Sequence, residues 1–456
     1  MVLREVLPTP VQSQTNRGRG LITNRIATGR NRKLRCHKMW SRRMTRNAAA
    51  WMVASALTCA VLLAVARDQS SFIATWATSP AGLPTVEKIG TYIVPAPIKV
   101  EGTIRYRLRI SQGGRALRLK FSNEYNENPL NVAAVSVGIT ADGFDAAPQS
   151  LARVTFGGSA AITIPPGAPA LSDIVAVPVK PLTDLLVSVF IPGGMPVFPC
   201  TKEWPPTDQV VVEALDTTLA DHLPASKCLF TWRPIVSEVD VSAERHPGKV
   251  VVALGDSITD GEVDPKTGER GWPAVLARRL YGAAVSVVNA GIGGNRLLGT
   301  MPMCGAAAVA RLDRDVLSVP GLTHIVVLEG INDIRMSGPR GVLGDTSLVK
   351  PEDLIAAYLQ IIERAHERGI RIIGATILPF EGADYYSASR EQVRETINRW
   401  IRSSKGFDGV IDFDAGTRDP THPLRLKAEY DIGDHLHPNA TGYRAMGEMV
   451  DVRLFN

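Results

Sequence analysis

The 456-residue chain is long enough for more than one domain, and its 45% hydrophobic content is that of a globular protein. The formal net charge of +6 is misleading: residues 1–66 hold 12 Lys/Arg and one acidic residue, which leaves 39 Lys/Arg against 44 Asp/Glu in the remainder. That mildly acidic remainder gives no electrostatic footprint for nucleic acid.

The basic leader has its own logic. Ser41-Arg42-Arg43-Met44-Thr45-Arg46 precedes Ala48–Ala66, a charge-free run rich in Ala, Val and Leu that ends in Ala64-Val65-Ala66. A basic start, an apolar stretch and a small-x-small site predict a secretory signal peptide cut after Ala66. The alternative is a membrane anchor at 48–66, since the run approaches the about 20 residues that a span needs. Cleavage would leave no stable membrane span and a secreted, periplasmic or extracellular protein. Cys36 and Cys59 would leave with the leader. Of the remaining three, Cys200 and Cys228 either pair in an oxidising compartment or stay as thiols, and Cys304 is left over.

Residues 72–245 read as β. Ile104, Tyr106, Leu108 and Ile110 alternate with Arg105, Arg107 and Arg109; beyond Gly113-Gly114, Leu117, Leu119 and Phe121 alternate with Arg118 and Lys120. Period-two alternation across Gly-Gly predicts a hairpin. Further short apolar segments at Val132–Ile139, Ala161–Ile164, Ile174–Val179 and Leu185–Ile191, punctuated by Pro and Gly, predict a β-sandwich accessory domain. The Arg/Lys stripe is read as the solvated face of a sheet in preference to a site for an anionic or sugar partner.

Val241–Lys249 is a polar break without periodicity and marks the domain boundary. After it, in residues 249–456, apolar strands at Val250–Leu254, Val285–Val288, Ile325–Leu328, Ile370–Ile373 and Val410–Ile411 alternate with helical segments. The clearest helix runs from Pro351 to Arg368. Pro351 suits the first helical position and Gly369 the residue past the end, and Leu354, Ile355, Tyr358, Ile361, Ile362 and Ala365 make one apolar stripe. Repeated strand–helix units predict a parallel sheet covered on both faces.

The residues capable of chemistry fall at the strand ends and in the last loop. Gly255-Asp256-Ser257-Ile258-Thr259 follows the first strand, Asn289-Ala290-Gly291-Ile292-Gly293-Gly294-Asn295 the second, and Gly330-Ile331-Asn332-Asp333 the third; Asp434-His435-Leu436-His437-Pro438 precedes the final helix. A serine hydroxyl needs an adjacent base to act as a nucleophile, and histidine can take that proton and return it to the leaving group. A carboxylate on the other ring nitrogen fixes the tautomer, and Asp and His at i and i+3 achieve this within one turn. Glycine lets backbone donors approach a developing oxyanion, and an asparagine amide supplies a donor without charge.

In this order the four stretches resemble the SGNH (GDSL-type) ester hydrolase family from Val250 to the C-terminus. The region from Trp76-Ala77-Thr78-Ser79 through Ser122-Asn123-Glu124 is similar to the N-terminal domain of a secreted subgroup that includes acetylxylan and aryl esterases. The resemblance implies a flavodoxin-like three-layer α/β/α SGNH hydrolase domain preceded by a β-sandwich domain. It implies Ser257 as nucleophile, His437 as general base oriented by Asp434, and an oxyanion hole of the Ser257 and Gly294 N–H groups with the Asn332 side chain. Asp431 also lies near His437, and Asp419-Pro420-Thr421-His422-Pro423 repeats the D-x-x-H-P spacing; Pro438–Tyr443 behind His437 favours His437 over His422. Asp256 reads as a turn-stabilising group. Asp260, Glu262 and Asp264 lack regular oxygen-ligand spacing and read as a solvated loop, so no metal or cofactor is expected.

The expectation is a secreted serine ester hydrolase for short, acetyl-like acyl groups on a small-molecule or polysaccharide alcohol. Lysophospholipase, aryl esterase and acyltransferase activities are the enzymatic alternatives, and a dead hydrolase serving as a carbohydrate-binding module is the non-enzymatic one. The loops Ile334–Val349 and Leu378–Ser387 are the natural pocket walls; the second carries Tyr385 and Tyr386, which can stack on sugar rings or simply pack. Nothing in the sequence sets the oligomeric state.

Overall fold

Alternating side chains build the first part of the fold into strands: β1 (Phe72–Ala77), β2 (Ile98–Arg109), β3 (Leu117–Ser122), β4 (Ala134–Asp142), β5 (Pro169–Leu171), β6 (Asp184–Pro199), β7 (Gln209–Glu213), β8 (Leu229–Phe230) and β9 (Val236–Ser242). In this computed structural model the described residues are 72–85, 88–89, 92–201, 209–223, 228–242, 248–338 and 347–456. They lie within one compact unit, Asp68–Asn456. The leader, with its apolar run at 48–66, lies outside the described residues, as do residues 339–346 of the loop Ile334–Val349. Among the described residues no helix is long and apolar enough to cross a membrane.

A four-stranded antiparallel sheet has the order β1-β9-β3-β5. A seven-stranded antiparallel sheet has the order β8-β7-β2-β6-β4, with the short strands Asp145–Ala146 and Ala152–Val154 on β4. Ile104, Tyr106 and Leu108 of β2 and Leu117, Leu119 and Phe121 of β3 are all buried in one core, which is the inward row expected of packed sheets.

The expected hairpin across Gly113-Gly114 does not form, because β2 and β3 belong to different sheets. Neither glycine has the positive φ that a two-residue hairpin turn requires. Both are sites of close approach instead: an added Cβ would meet the Val179 carbonyl at 2.4 Å at Gly113 and the Ser242 carbonyl at 2.5 Å at Gly114. Ile174–Val179 makes isolated bridges (Leu117 with Val175, Gly114 with Val179) in place of a strand; Pro178 within it cannot donate to a ladder.

The basic stripe also departs from expectation. Arg105 is fully buried. Its guanidinium donates to Ser188 Oγ at 2.7 Å and to the Phe144 and Ala220 carbonyls at 3.0 and 2.6 Å. A segment around Ala220 covers this face of the sheet, a contact that alternation along one strand cannot foresee. The others form cross-strand pairs: Arg118 with Asp240 at 3.0 Å, Lys120 with Glu238 at 3.9 Å and Arg107 with Asp184 at 2.9 Å. Burial, with Asp240 beside it, pushes the Glu238 carboxyl up to about 8.

The second part of the chain forms a parallel sheet of β10 (Lys249–Gly255), β11 (Val285–Gly291), β12 (Leu322–Leu328), β13 (Arg371–Ala375) and β14 (Gly409–Ile411) in the order β11-β10-β12-β13-β14. Its central strands read as unbroken apolar runs because both faces are buried. The helices are α1 (Ser257–Asp260), α2 (Gly271–Leu280), α3 (Ala308–Leu312), α4 (Ile331–Met336), α5 (Pro351–His366), α6 (Ala388–Ser403), α7 (Phe413–Thr417) and α8 (Ala440–Met449).

Right-handed crossovers fix the layers. The β10-to-β11 connection runs toward one edge and those after β11 run toward the other, so α2 lies on the opposite face from α3, α5 and α6. Packing agrees: α2 meets α8, while α3 and α6 both meet α5. The result is a doubly wound three-layer α/β/α sandwich of flavodoxin-like order, preceded by a strand-rich region. Strand order reverses between β10 and β12, and ligands of such sheets bind at that carboxyl-end crevice. The edge strand β11 is covered by β1, with Ser286 Oγ donating to the Ala74 carbonyl at 2.6 Å, which protects an otherwise open edge.

Cys200 and Cys228 form a disulfide, and Cys304 is free and buried. The bridge spans a sequence separation of 28, for which loop-closure entropy gives about 3–4 kcal/mol. Replacing both cysteines by serine is expected to lower the urea-unfolding free energy by about that amount; an unchanged midpoint would refute the pairing.

Candidate active site

β10 ends at Gly255, and the chain turns at once into the one-turn helix α1. Asp256 caps it, its Oδ1 accepting from the Ile258 N–H at 2.9 Å. Glycine is required at 255: an added Cβ would lie 2.1 Å from Thr259 Oγ1. Ser257 is therefore the first residue of a turn that projects from the end of a buried strand.

His437 comes from the other side of the crevice, on a hairpin closed by the Asp431–Pro438 bridge and the Ile432 N–H bond to the His437 carbonyl at 3.1 Å. Asn439 then caps α8, accepting from the Thr441 and Gly442 N–H groups. Ser257 Oγ lies 2.8 Å from His437 Nε2, and His437 Nδ1 lies 2.6 Å from Asp434 Oδ2. The other Asp434 oxygen accepts from the backbone N–H groups of His437 and Leu436 at 2.8 and 3.0 Å. The His437 and Asp434 side chains are each 25% exposed, so the relay opens to solvent.

The rival residues are otherwise engaged. Asp431 pairs with His435, at 2.7 Å from its Nδ1. His422 sits on an exposed turn with its Nδ1 3.0 Å from Thr421 Oγ1. Tyr386 packs edge-on against Phe380 at 5.1 Å, and the Tyr385 ring, on a residue with φ 66°, faces the Arg335 guanidinium at 5.8 Å. Asp260 is paired with Arg233 and Arg270, and Asp264 with Arg444. Among the described residues no group of three His, Cys, Asp or Glu side chains is placed to hold a metal ion.

Asn332, 2% exposed in α4, donates from Nδ2 to the Asn295 carbonyl at 3.0 Å. One amide hydrogen is thus spent on fixing the loop next to Gly294, and the second remains to be aimed. Gly294 has φ 73°, and an added Cβ would lie 2.6 Å from Cys304 Sγ, so only glycine brings this backbone so close. Burial pushes the Cys304 thiol up to about 11, which keeps it protonated.

Two arginines that sequence reasoning passed over complete the frame. Arg311, 1% exposed, donates to the carbonyls of Gly255 (3.0 Å) and Ala290 (2.7 Å), to Asn295 Oδ1 (3.0 Å) and to Ser79 Oγ (3.0 Å). Arg233 reaches Asp260 and the Gly291 carbonyl. An arginine in a helical or irregular stretch reads as surface, and no local signal marks either residue.

Electrostatically the site has two halves. Burial would raise the Asp434 carboxyl, but the His437 hydrogen bond and charge, with the two backbone N–H groups, hold it well below the ordinary carboxylate range. Beneath the Ser257 turn the reverse holds. Burial pushes Asp256 up to about 7 and Asp333 up to about 6, against the pull of the N–H groups each accepts. A carboxyl raised in the folded state favours folding fully below its unfolded value of about 4 and ceases to as pH rises through its folded value. Wild-type stability should therefore fall as pH rises from about 4 to 7. Asp256→Asn keeps the capping acceptor and should flatten that fall in denaturant titrations across the window; an equally steep fall in the variant would assign it elsewhere.

The GDSL-like lipase/acylhydrolase family matches residues 253–445. No curated protein matches the chain. Similar solved structures include a protein described as lipolytic, of the G-D-S-L family, from Desulfitobacterium hafniense DCB-2, with 25% identity over 44% of this chain and 96% of that one, at a TM-score of 0.33. The native aryl esterase of M. smegmatis has 16% identity over 46% of this chain and 100% of its own, at 0.36. A mutant acetyl-xylooligosaccharide esterase from Geobacillus Stearmophilus has 19% identity over 44% and 92%, at 0.34. Residues 253–445, with GDSIT at their head and DHLHP near their end, are a GDSL-like lipase/acylhydrolase domain, and the chain that carries them is a carboxylic ester hydrolase.

Proposed function

We propose that the protein is a secreted serine ester hydrolase that removes short acyl groups through an acyl-enzyme on Ser257. The observation that carries this reading is the unbroken relay of 2.8 Å and 2.6 Å contacts from Ser257 through His437 to Asp434. Ser257 Oγ attacks the ester carbonyl while His437 Nε2 takes its proton. Asp434 holds the opposite ring N–H and stabilises the imidazolium. The carbonyl oxygen, now negative, is met by the Ser257 and Gly294 N–H groups and the free Asn332 amide hydrogen. Collapse expels the alcohol, protonated by His437. A water then repeats the sequence on the acyl-enzyme and releases the acid.

The preference for short acyl groups rests on the walls. Leu298 and Ile432, on the loops that carry Gly294 and Asp434, are 40% and 45% exposed. They offer apolar contact for a few carbons, each worth about 0.8 kcal/mol when buried. Leu378–Ser387 is polar, with Glu381 held by Arg425 at 2.6 Å. An open, polar wall suits a bulky or sugar alcohol better than a long acyl chain. Two domains, 72–245 and 249–456, follow a cleaved leader at 1–66 in this reading.

Ser257→Ala and His437→Ala are each expected to abolish turnover of p-nitrophenyl acetate with the fold intact, and Ser257→Ala to abolish labelling by a fluorophosphonate. Asn332→Ala should lower kcat by about 10²–10³-fold; full kcat would remove it from the oxyanion site. Across p-nitrophenyl esters from acetate to laurate, kcat/KM should be greatest for the shortest. A steady rise with chain length would move the protein to lipase-like substrates. Intact mass of the exported protein should start near Arg67, whereas retention of 48–66 would indicate an anchor.

A further inference from the structure

The strand-rich region grips the loop that leads away from Gly291. Ser79 Oγ accepts from Arg311, and the Tyr125 hydroxyl accepts from the Ala306 N–H at 2.9 Å. Trp232 Nε1 donates to the Met303 carbonyl at 3.0 Å, and the Gly82 N–H donates to the Pro302 carbonyl at 2.7 Å. The firmest of these holds is Arg233. Its Nη1 lies 3.2 and 3.1 Å from the two Asp260 oxygens, and its Nη2 donates to the Gly291 carbonyl at 2.6 Å.

The two partners of Arg233 have particular places. Asp260 ends the turn that Ser257 begins, its N–H donating to the Asp256 carbonyl at 2.8 Å. Gly291 ends the strand that leads to Gly294. The two are pressed together: a Cβ on Gly291 would lie 2.2 Å from the Asp260 nitrogen. One guanidinium thus bridges the nucleophile turn and the start of the oxyanion loop. Arg233 is itself fixed, with a side chain 7% exposed. It lies just past the disulfide at Cys228 and the aromatic set Phe198, Phe230 and Trp232. Arg270 holds Asp260 from the other side at 2.6 Å.

We propose that Arg233 is a positioning residue for ester hydrolysis: it sets the spacing between Ser257 and the donors on the Gly294 loop, which makes the strand-rich region part of the active-site framework. The proposal rests on the reading of Ser257 as nucleophile. Catalysis by preorganised donors needs the oxyanion site placed before the reaction, and small displacements cost rate more than binding.

The test uses the purified protein with p-nitrophenyl acetate. Arg233→Ala is expected to lower kcat by about 10–10²-fold with KM within about threefold, and added guanidinium to restore part of kcat. A role in packing alone would move neither the kcat-to-KM split nor the response to guanidinium. Asp260→Asn weakens the same bridge from its other end without a change in size, and should show the same kcat-selective loss. Full kcat in a folded Asp260→Asn, or in Arg233→Ala, overturns the proposal, as does a loss confined to KM. Fluorophosphonate labelling of the parent separates the two levels. Label that survives Ser257→Ala refutes the nucleophile reading, whereas label lost in Ser257→Ala beside fully active Arg233 and Asp260 variants refutes the positioning role alone.

Discussion

A guanidinium shut away from water holds the carboxyl end of the sheet together. Strands β10 and β11 stop at Gly255 and Ala290–Gly291, and a buried carbonyl without a partner is costly. Arg311 supplies donors to the carbonyls of Gly255 and Ala290 and, in the same fork, to Asn295 and Ser79. Lysine has no planar fork to do this. An isolated buried cation would cost several kcal/mol; Asp315 meets this one at 3.3 Å and Glu329 lies at 3.6 Å. Burial, then Asp256, raises the Glu329 carboxyl well above its ordinary range.

The same burial separates the carboxyls into two uses. Asp256 and Asp333 sit under the turn and over-determine backbone: one caps α1, and the other accepts the Leu297 and Leu298 N–H groups that fix the loop after Gly294. Asp434 sits at the rim, where His437 and two N–H groups favour its charged form. Environments that push neighbouring carboxyls in opposite directions mark which one can support an imidazolium. Here half-buried Asp434 is the one whose charged form is favoured, while Asp256 and Asp333 hold backbone N–H groups.

What was legible in the sequence was local. The apolar runs at 250–254 and 325–328 read as buried parallel strands because both faces are covered, and Pro351 and Gly369 bracket a helix because their backbone preferences act within a turn. Asp434 and His437 read as a pair because they stand three positions apart in one turn. The hairpin across Gly113-Gly114 was misread because the same two glycines suit a tight turn and a close approach to Val179 and Ser242, partners 66 and about 130 positions away along the chain. Arg105 was misread because what covers it arrives from residues near Ala220. Arg233 and Arg311 carried no local mark of their place in the site, since the carbonyls they hold lie on other strands.

That dependence on distant partners also says why the two sheet systems share one compact unit. The stretch from Gly291 to Ala307 has only short helical pieces of its own, and ordering a residue costs about 1–2 kcal/mol of backbone entropy. Its own segment cannot offset this with a ladder of hydrogen bonds. The donors and acceptors that do so come from Gly82, Tyr125 and Trp232 in the strand-rich region, from the buried Arg311, and from Asn332 and Asp333 of α4. A loop held in part from the strand-rich region depends on both regions, so the order of the Gly294 side is in part a long-range property of the chain. The Ser257 turn, by contrast, is closed by its own neighbours, Gly255 and Asp256. The two halves of the site are therefore built by different means, one mainly local and one held partly by the strand-rich region, and they meet at the bridge from Asp260 to Gly291.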